Sequence, residues 1–222
     1  MTGPVMITAP GEDADAFAEA LRAAGAEPVH LAPDSRLPNG AGGLLLFGDS
    51  TFDAPDGSSS PVPSATRAIP AIPAIRDAID ADIPVLGVGW GMHALNVALG
   101  GKPPVRLADA VVIGPRPGRS GRAADLGRMR TFLTLGGKVA ATIGAGGPVA
   151  TPGPGEYAIR EAEKAPCLMA SAYDLETGAI EALEMPGYHW VIGVTWPLHH
   201  LELLPARFDH LLAAFVERSS DD

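Results

Sequence analysis

Short apolar runs bounded by glycine or proline recur along the first half of the chain, with stretches of helical periodicity between them. Val5-Met6-Ile7-Thr8 reads as a short buried strand. From Asp13 to Ala24, the residues Ala16, Phe17, Ala20, Leu21 and Ala24 fall at helical spacing, and Gly25 stops the helix. Val29-His30-Leu31 is a second strand. Gly43-Leu44-Leu45-Leu46-Phe47 is a third, apolar throughout as a strand covered on both faces must be. Ala74 to Ala81 is a short helix, with Pro70 and Pro73 at or before its start. Strands alternating with crossover helices predict an α/β fold around a mostly parallel central sheet with helices on both faces.

The next unit is the most distinctive. The apolar run Ile83-Pro84-Val85-Leu86 leads into Gly87-Val88-Gly89-Trp90-Gly91-Met92-His93, and an amphipathic run follows to Leu99, ending on Gly100-Gly101. Strand, sharp glycine turn and helix is the layout of a nucleophile elbow, where a Ser or Cys stands at the strained middle position. Here that position is Gly89, which has no side chain to attack with. The same glycines resemble a dinucleotide fingerprint, but its last small residue is replaced by Met92 and the unit is not the first strand–helix turn.

Beyond Gly101 the pattern turns antiparallel. Ala110 to Ile113 reads as a strand. Thr131 to Leu135, Gly136-Gly137 and Lys138 to Ile143 read as a hairpin. Leu168 to Tyr173, Ile180 to Met185 and Trp190 to Trp196 form a second antiparallel set, giving an antiparallel C-terminal hairpin region. A tail helix runs from Ala206 to Arg218 with Phe208, Leu211, Leu212 and Phe215 on one face. Two loops stand out. Asp49 to Ser64 is rich in Ser, Pro, Asp and Gly, and loops at strand ends border ligand crevices in such sheets. Pro115 to Arg130 gathers five arginines, either as a solvated loop or as an anion-binding or partner-docking lip.

Composition narrows the function. The 222 residues fit one domain, 1–222, and 46% of them are hydrophobic. A formal charge of −10 argues against nucleic acid and anionic membrane surfaces as partners. The single Cys167 excludes an internal disulfide framework, suits a reducing cytoplasm and reads as a small core residue. The first residues lack a basic segment ahead of an apolar one, so no signal peptide is expected, and no apolar run reaches the roughly 20 residues of a membrane span.

Three blocks together resemble the class I glutamine amidotransferase-like superfamily, and within it the gamma-glutamyl-gamma-aminobutyrate hydrolase group. Gly43-Leu44-Leu45-Leu46-Phe47-Gly48-Asp49 is similar to that group's D-G-L-L-L-P-G-G. Pro84 to Gly101 is similar to P-V-L-G-I-C-R-G-M-Q-L-L-N-V-x-L-G-G. Thr177 to Glu184 followed by Trp190 to Trp196 is similar to G-x-V-E-A-x-E and W-V-x-G-V-Q-W-H-P-E. The resemblance spans most of the chain and implies the flavodoxin-like fold of these proteins. It also implies a chemistry in which a Cys attacks a gamma-glutamyl amide, a His relays protons and a Glu orients the His. The Cys falls on Gly89 and its neighbouring Arg on Trp90. The His-Pro-Glu falls on Pro197-Leu198-His199 without a gap, or on His200-Leu201-Glu202 with a three-residue insertion; both alignments stand. The His-x-x-His pair common in the group has no counterpart near Thr151-Pro152-Gly153-Pro154.

The resemblance therefore implies a catalytically divergent member, because thioester chemistry requires a thiolate. The helix after Gly89 still offers amides without intrahelical acceptors to a small anionic or amide-bearing molecule. Gly48 and Asp49, at the group's oxyanion turn, together with Gly89, Trp90 and His93, are the expected binding residues. Trp90 reads as packing or as pocket lining. His93, where the group has a substrate-contacting Gln, is a structural histidine or, with His200 and Glu202, part of an acid-base set. No metal or cofactor is expected, since no metal-ligand spacing is present. The expected partners are a small-molecule ligand and a partner enzyme or a second copy. The alternatives are a repurposed acid-base enzyme, biosynthetic in role, and an ordinary gamma-glutamyl hydrolase or amidotransferase.

Overall fold

The computed structural model describes residues 3–8, 12–32, 35–47, 72–107, 128–153, 155 and 157–220. The first half follows the predicted alternation. Strand β1 (Val5–Thr8) leads into helix α1 (Glu12–Ala23) and strand β2 (Pro28–Leu31), and strand β3 (Gly43–Leu46) into helix α2 (Ile72–Asp80). Strand β4 (Val85–Val88) runs directly into helix α3 (Trp90–Ala98). After the two-residue strand β5 (Val105–Arg106) come β6 (Arg128–Leu133), helix α4 (Lys138–Ile143), β7 (Gly147–Pro152) and the short β8 (Tyr157–Ala158). Strands β9 (Met169–Asp174), β10 (Ile180–Glu184) and β11 (Val191–Val194) precede helix α5 (His210–Ser220).

Nine of these strands form one sheet in the order β2-β1-β3-β4-β11-β10-β9-β6-β7, and β5 pairs with β8 separately. The pairs from β2 through to β11 are parallel, and those from β11 through to β7 are antiparallel. Only β10 and β6 run against the rest, so the sheet is mostly parallel in direction. Strand β11 is the seam between the two halves: it pairs in parallel with β4 and antiparallel with β10.

Helices cover both faces. Phe17 and Leu21 of α1, Val139 and Ile143 of α4 and Leu211 and Phe215 of α5 share one core with the large rings of Trp190, Trp196 and Phe208. Ala74 and Ile75 of α2 and Met92 and Leu95 of α3 build the other. The runs Val5–Thr8, Gly43–Leu46, Val85–Val88 and Val191–Val194 are buried along their whole length, as two-sided cover requires.

The segment Lys138–Ile143 departs from the hairpin reading: it is a helix, and β6 pairs instead with β7, Thr131 opposite Val149. Its Val, Thr and Ile residues favour strands, but Val139, Ala140 and Ile143 lie at helical spacing and are all buried. The decisive cap comes from elsewhere in the chain. Glu184 at the end of β10 accepts hydrogen bonds from the amides of Lys138 (3.0 Å) and Val139 (3.1 Å). Any side chain at the N-cap would collide with it, since a Cβ on Gly137 would lie 2.8 Å from Glu184 Oε2. A carboxylate at a helix start satisfies free donors and opposes the positive end of the dipole. We predict that Glu184→Ala lowers the free energy of unfolding by about 2 kcal/mol in chemical denaturation, since it leaves two amides without a partner.

Cys167 also differs from expectation. It lies exposed in the turn before β9, its Sγ 3.9 Å from the Leu99 carbonyl, and is no part of the core. The strand read at Ala110 to Ile113 and most of the arginine-rich loop fall outside the described residues. Arg128 and Arg130, at the end of that loop, belong to β6.

Candidate functional site

Gly89 stands just beyond the carboxyl end of β4, at the edge where open α/β sheets receive ligands. Its amide donates to the Val194 carbonyl at 2.8 Å, fixing the turn against the end of β11. Its backbone has φ 56° and ψ −113°, a conformation that L side chains rarely adopt. A Cβ built there would meet no atom of the described residues within 4 Å, its chain neighbours aside. This is the geometry in which an elbow displays a side chain, occupied by a residue that has none.

Three other glycines let the elbow pack so tightly. A Cβ on Gly87 would lie 2.7 Å from the Gly91 carbonyl oxygen, and one on Gly91 only 2.0 Å from that of Leu46. On the neighbouring strand, a Cβ on Gly193 would reach 2.7 Å from Met92 Cγ. Helix α3 therefore rests almost directly on the backbones of β3, β4 and β11. Its first turn carries no side-chain cap and no acidic residue.

His93 lies four residues beyond Gly89, on the same side of the helix. It is buried, 7% exposed, and its Nδ1 finds no hydrogen-bond partner among the described residues. Burial lowers its pKa to about 4, so the ring is neutral at physiological pH. Trp90, in the first turn, is half-buried. Gly89, Trp90 and His93 thus form one group on consecutive turns. Gly48 and Asp49 directly follow Phe47 at the end of β3, and lie outside the described residues.

His200 and Glu202 form a second group. After β11 the chain passes through Trp196 and Pro197 into a 3₁₀ turn at Leu201–Leu203. His200 Nδ1 and Glu202 Oε1 are 3.2 Å apart, with side chains 49% and 70% exposed. The His200 ring packs 4.2 Å from that of His199, which in turn lies 4.6 Å from Phe17 of α1. Phe17 meets Phe47, at the end of β3, at 4.5 Å. Among the described residues, no hydrogen bond or ion pair joins His200 or Glu202 to Gly89 or His93. Nor do His, Cys, Asp and Glu gather in groups of three or more that could hold a metal ion.

Sequence reasoning missed Glu181. This β10 carboxylate is fully buried, and its Oε2 accepts from the Trp196 indole (2.7 Å) and the hydroxyls of Thr131 (2.8 Å) and Thr151 (2.9 Å), which also touch each other. Its backbone carbonyl receives the Thr195 amide at 2.9 Å. Burial pushes the Glu181 carboxyl pKa up, the three hydrogen bonds pull it back, and nearby Asp174 adds to the rise. Side chain and backbone together anchor the turn from which the His199–Glu202 segment departs. The available signal was its place in the Thr177–Glu184 block, which carried resemblance but no stated role.

A mostly parallel, two-faced sheet with a glycine-turned strand–helix unit beside the seam strand defines a class I glutamine amidotransferase fold. The chain belongs to the peptidase C26 family of that superfamily, whose family model matches residues 14–200. It is 32% identical over 198 residues to "Putative glutamine amidotransferase Rv2859c" of Mycobacterium tuberculosis (strain ATCC 25618 / H37Rv), covering 82% of this chain. It spans only 60% of the length of that curated relative. Solved structures agree on the fold. A Thermoplasma acidophilum protein, described as a subunit of a "putative gmp synthase", superposes with a TM-score of 0.64 at 12% identity, covering 99% of this chain and 94% of that one. The glutaminase domain of Trypanosoma brucei CTPS, with bound acivicin, gives 0.61 at 16% identity, covering 99% and 94%. PurLQS from Thermotoga maritima gives 0.62 at 13%, covering 98% and 97%. No helix among the described residues is long and apolar enough to cross a membrane.

Proposed function

We propose that this is a catalytically divergent glutamine amidotransferase-like protein, one domain over 1–222, with Gly89 at the position of the family's nucleophilic Cys. It binds a small anionic or amide-bearing molecule at the elbow, by itself or in concert with a partner enzyme or a second copy. The observation that carries this reading is Gly89 itself: a positive-φ turn after β4 with no side-chain atom to attack a carbonyl. Thioester chemistry needs a thiolate. The exposed Cys167 belongs to a turn on another part of the sheet.

Binding has physical support at the same turn. The start of α3 has no side-chain cap and no acidic residue in its first turn, and the dipole favours negative charge there. His93, neutral at physiological pH, is suited to hydrogen-bonding a ligand rather than to carrying charge. Gly48 and Asp49, next in sequence after Phe47, remain proposed binding residues on the strength of the resemblance alone. A partner accords with the structural relatives: one is described as a "putative gmp synthase subunit", and another is the glutaminase domain of CTPS.

The test is chemical. The protein is expected to release no ammonia from glutamine and no amine from gamma-glutamyl anilides, and an electrophilic glutamine analogue is expected to leave its mass unchanged at residue 89. Gly89→Cys should acquire the analogue's mass, because a Cβ there meets no atom of the described residues within 4 Å. Clear turnover of either substrate by the unaltered chain overturns the proposal.

A second reading is favoured by the His200–Glu202 contact: a repurposed enzyme of a biosynthetic pathway, with these two residues and His93 as the acid-base set. Under it, His200→Ala abolishes whatever turnover the unaltered protein shows; full retention of that turnover would sink it.

A further inference from the structure

At the opposite end of β11 from Gly89, a cleft of about 500 Å³ opens between α4 and α5. Its volume falls within the range of small-molecule sites. Its chemistry is unlike the rest of the chain. The protein carries 16 Lys and Arg against 26 Asp and Glu. Lys138, Arg218, His189 and His210 line this cleft against a single carboxylate, Glu217.

Its donors are placed around the opening by three segments: α4, α5 and the turn before β11. Lys138, at the start of α4, is held at the rim by a 2.8 Å bond from Nζ to the Met185 carbonyl, which leaves two ammonium protons for another acceptor. Arg218, near the end of α5, lays its guanidinium over the Trp190 ring, Cζ 4.7 Å from the centroid. Its Nη1 stands 3.9 Å from Glu217 Oε2, a loose contact that leaves the donor fork largely unused. The imidazoles of His189 and His210 are exposed beside them. Trp190 closes the floor of the cleft beneath that guanidinium. It is 2% exposed and lines the cleft, yet its indole N–H has no hydrogen-bond acceptor among the described residues.

We propose that this cleft binds a tetrahedral oxyanion, the phosphate of a small phosphorylated molecule or free phosphate. Donors converging from Lys138, Arg218 and the two histidines suit an anion that accepts in several directions better than a planar carboxylate. The volume exceeds what a lone phosphate fills, leaving room for a small organic group. This site lies past the other end of β11, a strand roughly 13 Å long, and does not depend on the elbow's role.

The experiment titrates the full chain with inorganic phosphate and with glycerol 3-phosphate by calorimetry, at constant ionic strength against sodium chloride and sodium acetate. Saturable binding of at least one phosphate species is expected. Lys138→Gln and Arg218→Gln should each weaken it at least tenfold while keeping the unliganded melting temperature. Arg22→Gln, which removes the same charge from α1, should not change it. Tighter binding of the ester assigns the site to phosphorylated molecules, and equal binding to free phosphate; either supports an oxyanion site. Absence of saturable binding, an equal response to acetate, or unchanged affinity in both variants overturns the proposal. If Arg218→Gln fails to fold through loss of its packing on Trp190, Lys138→Gln alone decides.

Discussion

Gly91→Ala is expected to lower the free energy of unfolding by about 3 kcal/mol or more, the upper end of what forced overpacking does. The added carbon would lie 2.0 Å from the Leu46 carbonyl oxygen, 2.5 Å from its carbonyl carbon and 2.8 Å from its Cβ. None of these is the loose end of a flexible side chain. Strand β3 is buried along its length between β1 and β4, so it cannot retreat without disturbing its own ladder. Helix α3 must then lift off the sheet, exposing Met92, Ala94 and Leu95, which are now 0–1% exposed. Denaturant titration reads the loss directly. Gly89→Ala is the informative contrast: its Cβ meets no atom of the described residues within 4 Å, and the positive φ is the unfavourable feature, about 1–2 kcal/mol. Equal destabilisation by the two changes would refute the packing account of the elbow.

The second large effect belongs to His93. The fold holds this ring neutral, with a pKa of about 4, whereas the unfolded chain takes up a proton near the ordinary 6.5. The unfolded state therefore binds more protons between these values. Stability present above pH 6.5 is lost as the pH falls towards 4, and levels off once both states are protonated. The full swing is roughly 3 kcal/mol. His93→Leu, which has no charge to acquire, should flatten this part of the acid limb. The check is the difference between the two proteins' unfolding free energies at pH 7 and pH 4. An identical pH dependence would mean that the ring is not held neutral by burial.

Much of the architecture was legible in the residues because it rests on local pattern. The continuous apolar runs at Val5, Gly43 and Val85 announced buried parallel strands. The spacing of Phe17 and Leu21 placed α1, and the glycines from Gly87 to Gly91 marked the turn into α3. What escaped was written between distant residues. The helix at Lys138–Ile143 depends on a carboxylate 46 positions away, at Glu184, so its strand-favouring composition misleads. Glu181 shows no local anomaly; its importance comes from Thr131, Thr151 and Trp196 converging on it from three other segments. The cleft beside Trp190 likewise draws Lys138 and Arg218 from two helices far apart in sequence. In the elbow group, the succession from Gly89 to His93 was readable because one helical turn contains it. The relation of that group to His200 and Glu202 was not, because it depends on the path of a loop after β11.

The position of β11 also bears on how the molecule is made. It is the last strand in sequence among the described residues, yet it occupies the middle of the nine-stranded sheet. A chain emerging from the ribosome can pair β1, β2, β3 and β4 early, and can pair β6, β7, β9 and β10 as a separate group. Neither group can meet the other until Val191–Val194 inserts between β4 and β10. Assembly should thus end with a long-range zippering step, slow because its contacts lie far apart in sequence. Until then the open edge of β4 leaves a row of unpaired backbone groups, the surface on which stalled chains would aggregate.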